Sequence, residues 1–246
     1  MPSKISLFKI CTWFSVFIVM GISTAYAVDS HYEGIIEPSE LVRVSSPVEG
    51  TLAQVFVDRG GTVRKGQVIA TLNSQIEKAA VDLATARVEF SERKVSRNTQ
   101  LYEKHLVSIH EKDEMITELE IARLQLREAK AKLKIRTLKS PLNGVVVERF
   151  LSWGEFVGDD PVMSIAQIDP LYVEVVIPIE EFGKIKKNSS ATIKLEFPVS
   201  REIKAKVTIV DPVIDAASET FGVRLVLPNP DHSLPAGMKC KVFFHF

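Results

Sequence analysis

Residues 46–72, SPVEGTLAQVFVDRGGTVRKGQVIATL, and residues 140–166, SPLNGVVVERFLSWGEFVGDDPVMSIA, align without a gap at a constant offset of 94 residues. Ser46, Pro47, Gly50, Gly60, Val63 and Val68 fall on Ser140, Pro141, Gly144, Gly154, Val157 and Val162. Apolar character is kept where Val48, Leu52 and Val57 meet Leu142, Val146 and Leu151. These are residue types that backbone geometry demands: glycine admits positive φ at turns and close chain approach, and valine suits a half-buried sheet. Each copy is therefore predicted to be a strand-turn-strand unit that buries its face against the other.

Between the copies the periodicity becomes helical. Ser74-x-x-Glu77 and Ser108-x-x-Glu111 each have the form of a capping box and predict two helix starts. From Met115, the residues Leu119, Ala122, Leu126, Ala129 and Leu133 recur at alternating steps of four and three, which is a heptad seam. Val81, Val88, Val95 and Tyr102, with Ala84 and Ser91 between them, supply a weaker partner stripe. No Pro or Gly interrupts residues 74–140. The pattern predicts an antiparallel coiled-coil hairpin turning at His105 to Ser108, each arm roughly 40 to 45 Å long. A stripe this narrow stores little stability, so reach and lateral contact explain the hairpin better than core building does.

The chain opens like a secretory leader: Lys4 and Lys9 precede the apolar run Ile10–Ile22, and Ala25-Tyr26-Ala27 is an A-x-A cleavage site. That run is too short for an ordinary span, and Lys9 and Ile10 before Cys11 do not suit lipidation. Processing after Ala27 would start the mature chain at Val28, change the formal charge from 0 to about −2, and leave Cys240 as the only cysteine. No intramolecular disulfide is then available, and no basic excess points to nucleic acid. Past the second copy, Leu171, Val173, Val175, Ile177 and Ile179 alternate with polar or small neighbours. The same holds for Ala191, Ile193, Leu195 and Phe197, for Ile203, Ala205, Val207 and Ile209, and for Cys240, Val242, Phe244 and Phe246. With turns at Asn229-Pro230-Asp231 and Pro235-Ala236-Gly237, these predict a small barrel or sandwich of antiparallel strands.

Taken in order, these features resemble the periplasmic adaptor, or membrane fusion protein, family of bacterial tripartite efflux pumps, RND-type in the first instance. Ser46-Pro47-x2-Gly50 through Gly60-x2-Val63-x2-Gly66 is similar to the front half of that family's lipoyl-like domain, and Ser140-Pro141-x2-Gly144 through Gly154-x2-Val157 to its back half. Leu227-x-Asn229-Pro230 with Leu234-Pro235-Ala236-Gly237-Met238 resembles the end of its β-barrel domain. The resemblance implies a mostly β chain with a long α-helical coiled-coil hairpin, a split lipoyl-like (barrel-sandwich) domain and a C-terminal β-barrel. Its expected divisions are a signal peptide at 1–27, a leading strand at 28–40, lipoyl-like halves at 41–73 and 139–168, the hairpin at 74–138 and the barrel at 169–246. The family's membrane-proximal fourth domain is expected to be absent.

The resemblance further implies a periplasmic, non-catalytic bridge between an inner-membrane transporter, RND or ABC-type, and an outer-membrane channel protein. Copies would associate into a ring, a hexamer by expectation. Arg97-x3-Leu101-x6-Ser108 is similar to the pattern by which such adaptors engage the channel, with Leu101 as apolar anchor and Arg97 as directional donor. On a continuous helix, steps of four and seven would put these three residues near one face. The competing assignments are Ser108 as an N-cap, Arg97 as a solvated charge and Leu101 as seam.

Chemistry gives no rival. Lipoyl and biotinyl carriers share the half-motifs, but their modified lysine lies on a tight hairpin that some 65 helical residues replace here. His31, His105, His110, His232 and His245 show no metal-ligand spacing with one another or with Cys240, so neither cofactor nor metal is expected. An envelope scaffold using the same hairpin and a periplasmic ligand or metal carrier are the other two function classes.

Overall fold

The computed structural model describes residues 31–104, 106–195 and 201–245. The leader at 1–27, His105, Phe197 and Phe246 lie outside the described residues. Strands β1 (Tyr32–Val44), β2 (Gly50–Val55), β3 (Thr62–Val63) and β4 (Val68–Leu72) precede helices α1 (Gln75–Glu103) and α2 (Ile109–Lys134). Then come β5 (Thr137–Lys139), β6 (Gly144–Arg149), β7 (Phe156–Val157), β8 (Met163–Pro178), β9 (Ser190–Leu195), β10 (Arg201–Val210), β11 (Thr220–Leu227) and β12 (Lys239–Phe244).

The two copies of the repeat exchange strands. β2 pairs antiparallel with β7, placing Gly50 opposite Val157, and β3 pairs antiparallel with β6, placing Val63 opposite Gly144. Each of these pairs is the other displaced by one repeat, so the halves relate by a local pseudo-twofold. Hydrogen bonds repeat the same way. The Gly60 amide donates to Val146 O and the Gly154 amide to Leu52 O, both at 2.8 Å. Ser46 Oγ donates to Val48 O and Ser140 Oγ to Leu142 O, both at 2.6 Å. Gly60 and Gly154 hold φ of 82° and 85° in matching turns, a region that side-chain-bearing residues avoid. Gly50 opens β2, and the Gly66 amide joins the halves by donating to Ser140 O at 2.8 Å. Leu52, Val63, Ile69, Leu72, Leu142, Val146, Val157 and Val162 fill the core between the halves, with Val48, Val57 and Leu151 packed at its edge.

β1 and β8 pair along most of their length and run from this sandwich into a second unit, so the expected divisions at 40/41 and 168/169 fall inside continuous strands. There the order β1-β12-β9-β10-β11-β8 returns to β1 and closes a six-stranded barrel. Closure removes the exposed edges that an open sheet would present. Leu171, Val173, Val175 and Ile177 of β8 face its interior with Ile193, Val207, Val223, Leu225, Cys240 and Val242. Burial pushes the Cys240 thiol up to about 11, which keeps it protonated and packed against Gly34. Two expected inward residues depart from the pattern. Ile179 leaves the strand for a short 3-10 turn (Ile179–Glu181) after Pro178, and Ile209 is exposed because a bulge after Val207 shifts the register of β10 against β11.

The barrel's closing loop hangs on Asn229, which is 1% exposed. Its amide nitrogen donates to Ile168 O and Leu234 O, both at 2.9 Å, and its Oδ1 accepts from the Leu234 amide at 3.0 Å. Every polar atom of that side chain is engaged, which explains why the Asn-Pro turn and the Leu234-Pro235 segment occur together.

Gly144 makes the closest approach in the sandwich, since a Cβ there would stand 2.1 Å from the Ala166 carbonyl oxygen. Gly144→Ala is expected to cost about 3 kcal/mol through forced separation of β6 from β8. Gly154→Ala, where the space is open and only the positive φ is offended, should cost about 1 kcal/mol. Urea unfolding of both variants measures the difference, and equal losses would contradict the close-approach argument.

Candidate functional site: the helical hairpin and its tip

The helices leave the sandwich after β4 and return to it before β5, so the hairpin's base is held by a neighbouring strand pair, Val68 opposite Lys139 through Thr71 opposite Thr137. Arg136, just past α2, reinforces that base. Its Nε and Nη2 donate to Glu77 Oε1 of α1 at 2.9 and 2.7 Å, and its Nη1 donates to the Glu49 carbonyl at 2.8 Å. One guanidinium thus ties both helix roots to the loop before β2, with the charged partners largely shielded from water. This use of Glu77 corrects the expected capping box at Ser74. Ser74 occupies the N-cap position but its side chain makes no capping hydrogen bond, and the Glu77 carboxylate that would complete the box is bound by Arg136; the Gln75 amide donates to Asn73 Oδ1.

Outward from the base, the helices meet along a thin antiparallel line. Val88, Leu119 and Ala122 are buried there, and Val95 and Leu126 pack beside them. Ser91 is buried in the same line, while Val81 and Leu133 are half-buried. Lys94 pairs with Glu118 and Arg123 with Glu92, each at 2.7 Å, and Arg87 donates to Gln125. All four charged groups are open to solvent, so each pair adds less than about 1 kcal/mol and sets register more than stability.

At the tip, α1 ends when the amides of Lys104 and Leu106 both donate to Leu101 O. Ser108 then opens α2 with a complete capping box: its Oγ accepts from the Glu111 amide at 3.2 Å, and the Glu111 carboxylate accepts from the Ser108 amide at 2.8 Å. Those hydrogen bonds from Ser108 hold the Glu111 carboxyl below its ordinary range. Lys112 lies 4.6 Å from the centre of the Tyr102 ring and links the two helix ends. Arg97 is exposed and has no hydrogen bond or ion pair among the described residues; Leu101 is half-buried. Arg97 and Leu101 stand one turn apart on α1. Ser108 does not share their helix, because α1 stops at Glu103, so the expected single helical face holds for the first two residues alone.

Residues 40–167 match the CzcB-like barrel-sandwich hybrid domain, and residues 170–245 match the CusB-like β-barrel domain. The chain belongs to the periplasmic adaptor, or membrane fusion protein, family. The adaptor is 23% identical over 230 residues to the antibiotic efflux pump periplasmic linker protein ArpA of Pseudomonas putida, covering 87% of this chain and 62% of that one. It has the fold of a MacA-MexA chimeric protein containing the Pseudomonas aeruginosa MexA α-hairpin domain, at a TM-score of 0.75 and 21% identity over 87% of this chain and 80% of that one. The membrane fusion protein Spr0693 from Streptococcus pneumoniae R6 follows at a TM-score of 0.71 and 16% identity, covering 88% of this chain and 98% of that one. The adaptor spans 54% to 62% of the length of three curated relatives that it matches.

Sequence reasoning missed the Arg136 clamp on the adaptor's hairpin. Its signal was faint: a lone arginine at the end of a lysine-rich helix, 59 residues from its partner.

Because the Glu111 carboxyl is lowered in the folded adaptor, its contribution is fully present at neutral pH. It is lost as pH falls from the ordinary carboxylate range through the lowered value. Ser108→Ala should speed amide exchange at Glu111 roughly five-fold at pH 7, an ordinary N-cap's worth. Ser108→Thr should restore it, and unchanged exchange in Ser108→Ala would show that the cap does not hold the tip.

Proposed function

We propose that this adaptor works in the periplasm as a non-catalytic bridge, joining an inner-membrane transporter to an outer-membrane channel for export of small molecules. One observation carries the reading most. Two helices of 29 and 26 residues depart from a closed sandwich, share a thin buried line, and end in a capped turn near an exposed arginine that has no hydrogen bond or ion pair among the described residues. Such an arrangement adds little to folding and is explained by reach. In this proposal the paired helices form a coiled coil along the seam Val81, Val88, Val95, Leu119, Ala122, Leu126 and Leu133. Arg97, Leu101 and the Ser108 turn meet the channel, and copies stand side by side in a ring, a hexamer by preference.

The domain divisions stated above, with processing after Ala27, belong to the same proposal, as does an RND-type transporter, with ABC-type as the alternative. In this proposal the barrel is the part assigned to transporter contact.

The test is export by cells carrying Leu101→Asp or Arg97→Glu at normal expression. Arg97→Glu should reduce export at least about tenfold, the loss of a charge-assisted contact, with the melting temperature unchanged, since Arg97 is exposed and makes no hydrogen bond or ion pair among the described residues. Leu101→Asp should abolish export while circular dichroism stays native. Full export by both variants would defeat tip docking, and a photo-crosslinker at position 97 that captures no channel protein would favour the envelope scaffold.

A further inference from the structure

The outer face of the barrel carries lysines that make no ion pair among the described residues. On β10, Lys204 and Lys206 both point outward, and the register puts them opposite Thr192 and Ser190 of β9. Beyond β9, the His245 amide donates to Ser190 O at 3.1 Å, and its Nε2 lies 2.8 Å from Thr192 Oγ1, which fixes the imidazole over the same rows. Asn188 holds φ 71° in the turn that the Ser189 amide closes on Lys186 O at 3.0 Å. Two open clefts share His245: one is lined by Lys204, Lys206, Thr192 and Asn188, the other by Lys184, Lys186, Ser189 and the Glu181 carboxylate.

The carboxylates of the neighbourhood are already engaged. Glu181 pairs with Lys184 and Glu202 with Lys194. Lys186, Lys204 and Lys206 have no ion pair among the described residues. Like charges on adjacent outward positions of a sheet repel, so the unliganded protein bears a cost that an anion seated among them would remove. Ammonium groups flanked by hydroxyl, amide and imidazole donors suit a tetrahedral oxyanion, which accepts several hydrogen bonds at once.

We propose that Lys204, Lys206 and His245, with the Thr192 hydroxyl, form a binding site for a phosphate group on the outside of the barrel. The phosphate is supplied by a soluble phosphate ester or by the head group of an anionic phospholipid. This site is independent of the hairpin tip and of the bridging role.

The experiment uses the processed chain and a Lys204→Ala, Lys206→Ala double variant. Titration with inorganic phosphate and with glycerol phosphate, at constant ionic strength set by chloride, is followed by chemical shifts at Thr192 and His245. Flotation with vesicles of phosphatidylglycerol, against vesicles of phosphatidylcholine, runs in parallel. Saturable shifts with glycerol phosphate, about tenfold weaker in the double variant, would establish a site for soluble esters. Flotation with phosphatidylglycerol alone, lost in the double variant, would establish the lipid head group as the source. A second readout tests the repulsion directly: phosphate should raise the melting temperature of the wild type, whereas the double variant should melt no lower without phosphate and gain nothing from it. Absence of saturable shifts and of selective flotation would overturn the proposal, as would binding that the double variant retains in full.

Discussion

The strand exchange between the two copies of the repeat is the constraint on which the remaining structure depends. Neither copy has enough strands to cover its own apolar face, and each completes the other through β2 with β7 and β3 with β6. Closing that exchange joins segments separated by the whole hairpin. The entropic cost of such a closure rises only slowly with the length of the insert, so a sandwich whose ends already meet can carry a long insertion. The insertion point, between β4 and β5, is where those strands pair and hold the helix roots side by side.

From that base outward, cohesion thins. Leu52, Ile69, Leu72, Val157 and Ile165 are essentially inaccessible in the sandwich core, each worth roughly 1.5 to 3 kcal/mol. Among the described hairpin residues, only Val88, Ser91, Leu119 and Ala122 are buried, and less completely, flanked by solvent-exposed ion pairs. Direction in such a pair of helices comes from its roots, where Arg136 binds Glu77 and Glu49 O, and from the cap at Ser108. The exposed Ile76, Leu83 and Phe90, seven residues apart on α1, lie off this line and leave a second apolar stripe open on the hairpin.

The barrel is welded to the sandwich by shared strands. β1 and β8 pass through both units, so a displacement at one end of β8 is carried by the same hydrogen-bonded ladder to the other. The two units therefore act as one body, with the Asn229 clamp closing the barrel at the point where β8 enters it.

Much of this was legible beforehand, and the reasons are local. The repeat was visible because turn glycines and inward valines leave few alternatives, and the two helices because their apolar residues kept a seven-residue period without Gly or Pro. The cap at Ser108 was readable because both of its partners lie within three residues. The carboxylate half of the Ser74 box is missing for the complementary reason: Glu77 binds Arg136, 59 residues away, and no local pattern reports that. Ile179 and Ile209 went astray because a 3-10 turn and a bulge each shift the side-chain alternation, which periodicity alone does not reveal. β11 escaped notice as a strand, although it supplies Val223 and Leu225 to the barrel core. Sequence by itself thus determined which segments are alike, which are helical and where the hairpin turns, since these follow from short-range stereochemistry. Only the tertiary structure decided that the copies swap strands, that β1 and β8 serve two units, and that lysines from separate strands and loops gather around His245. Those outcomes depend on pairings between distant residues, where the energy lies in contacts that no neighbouring residues encode.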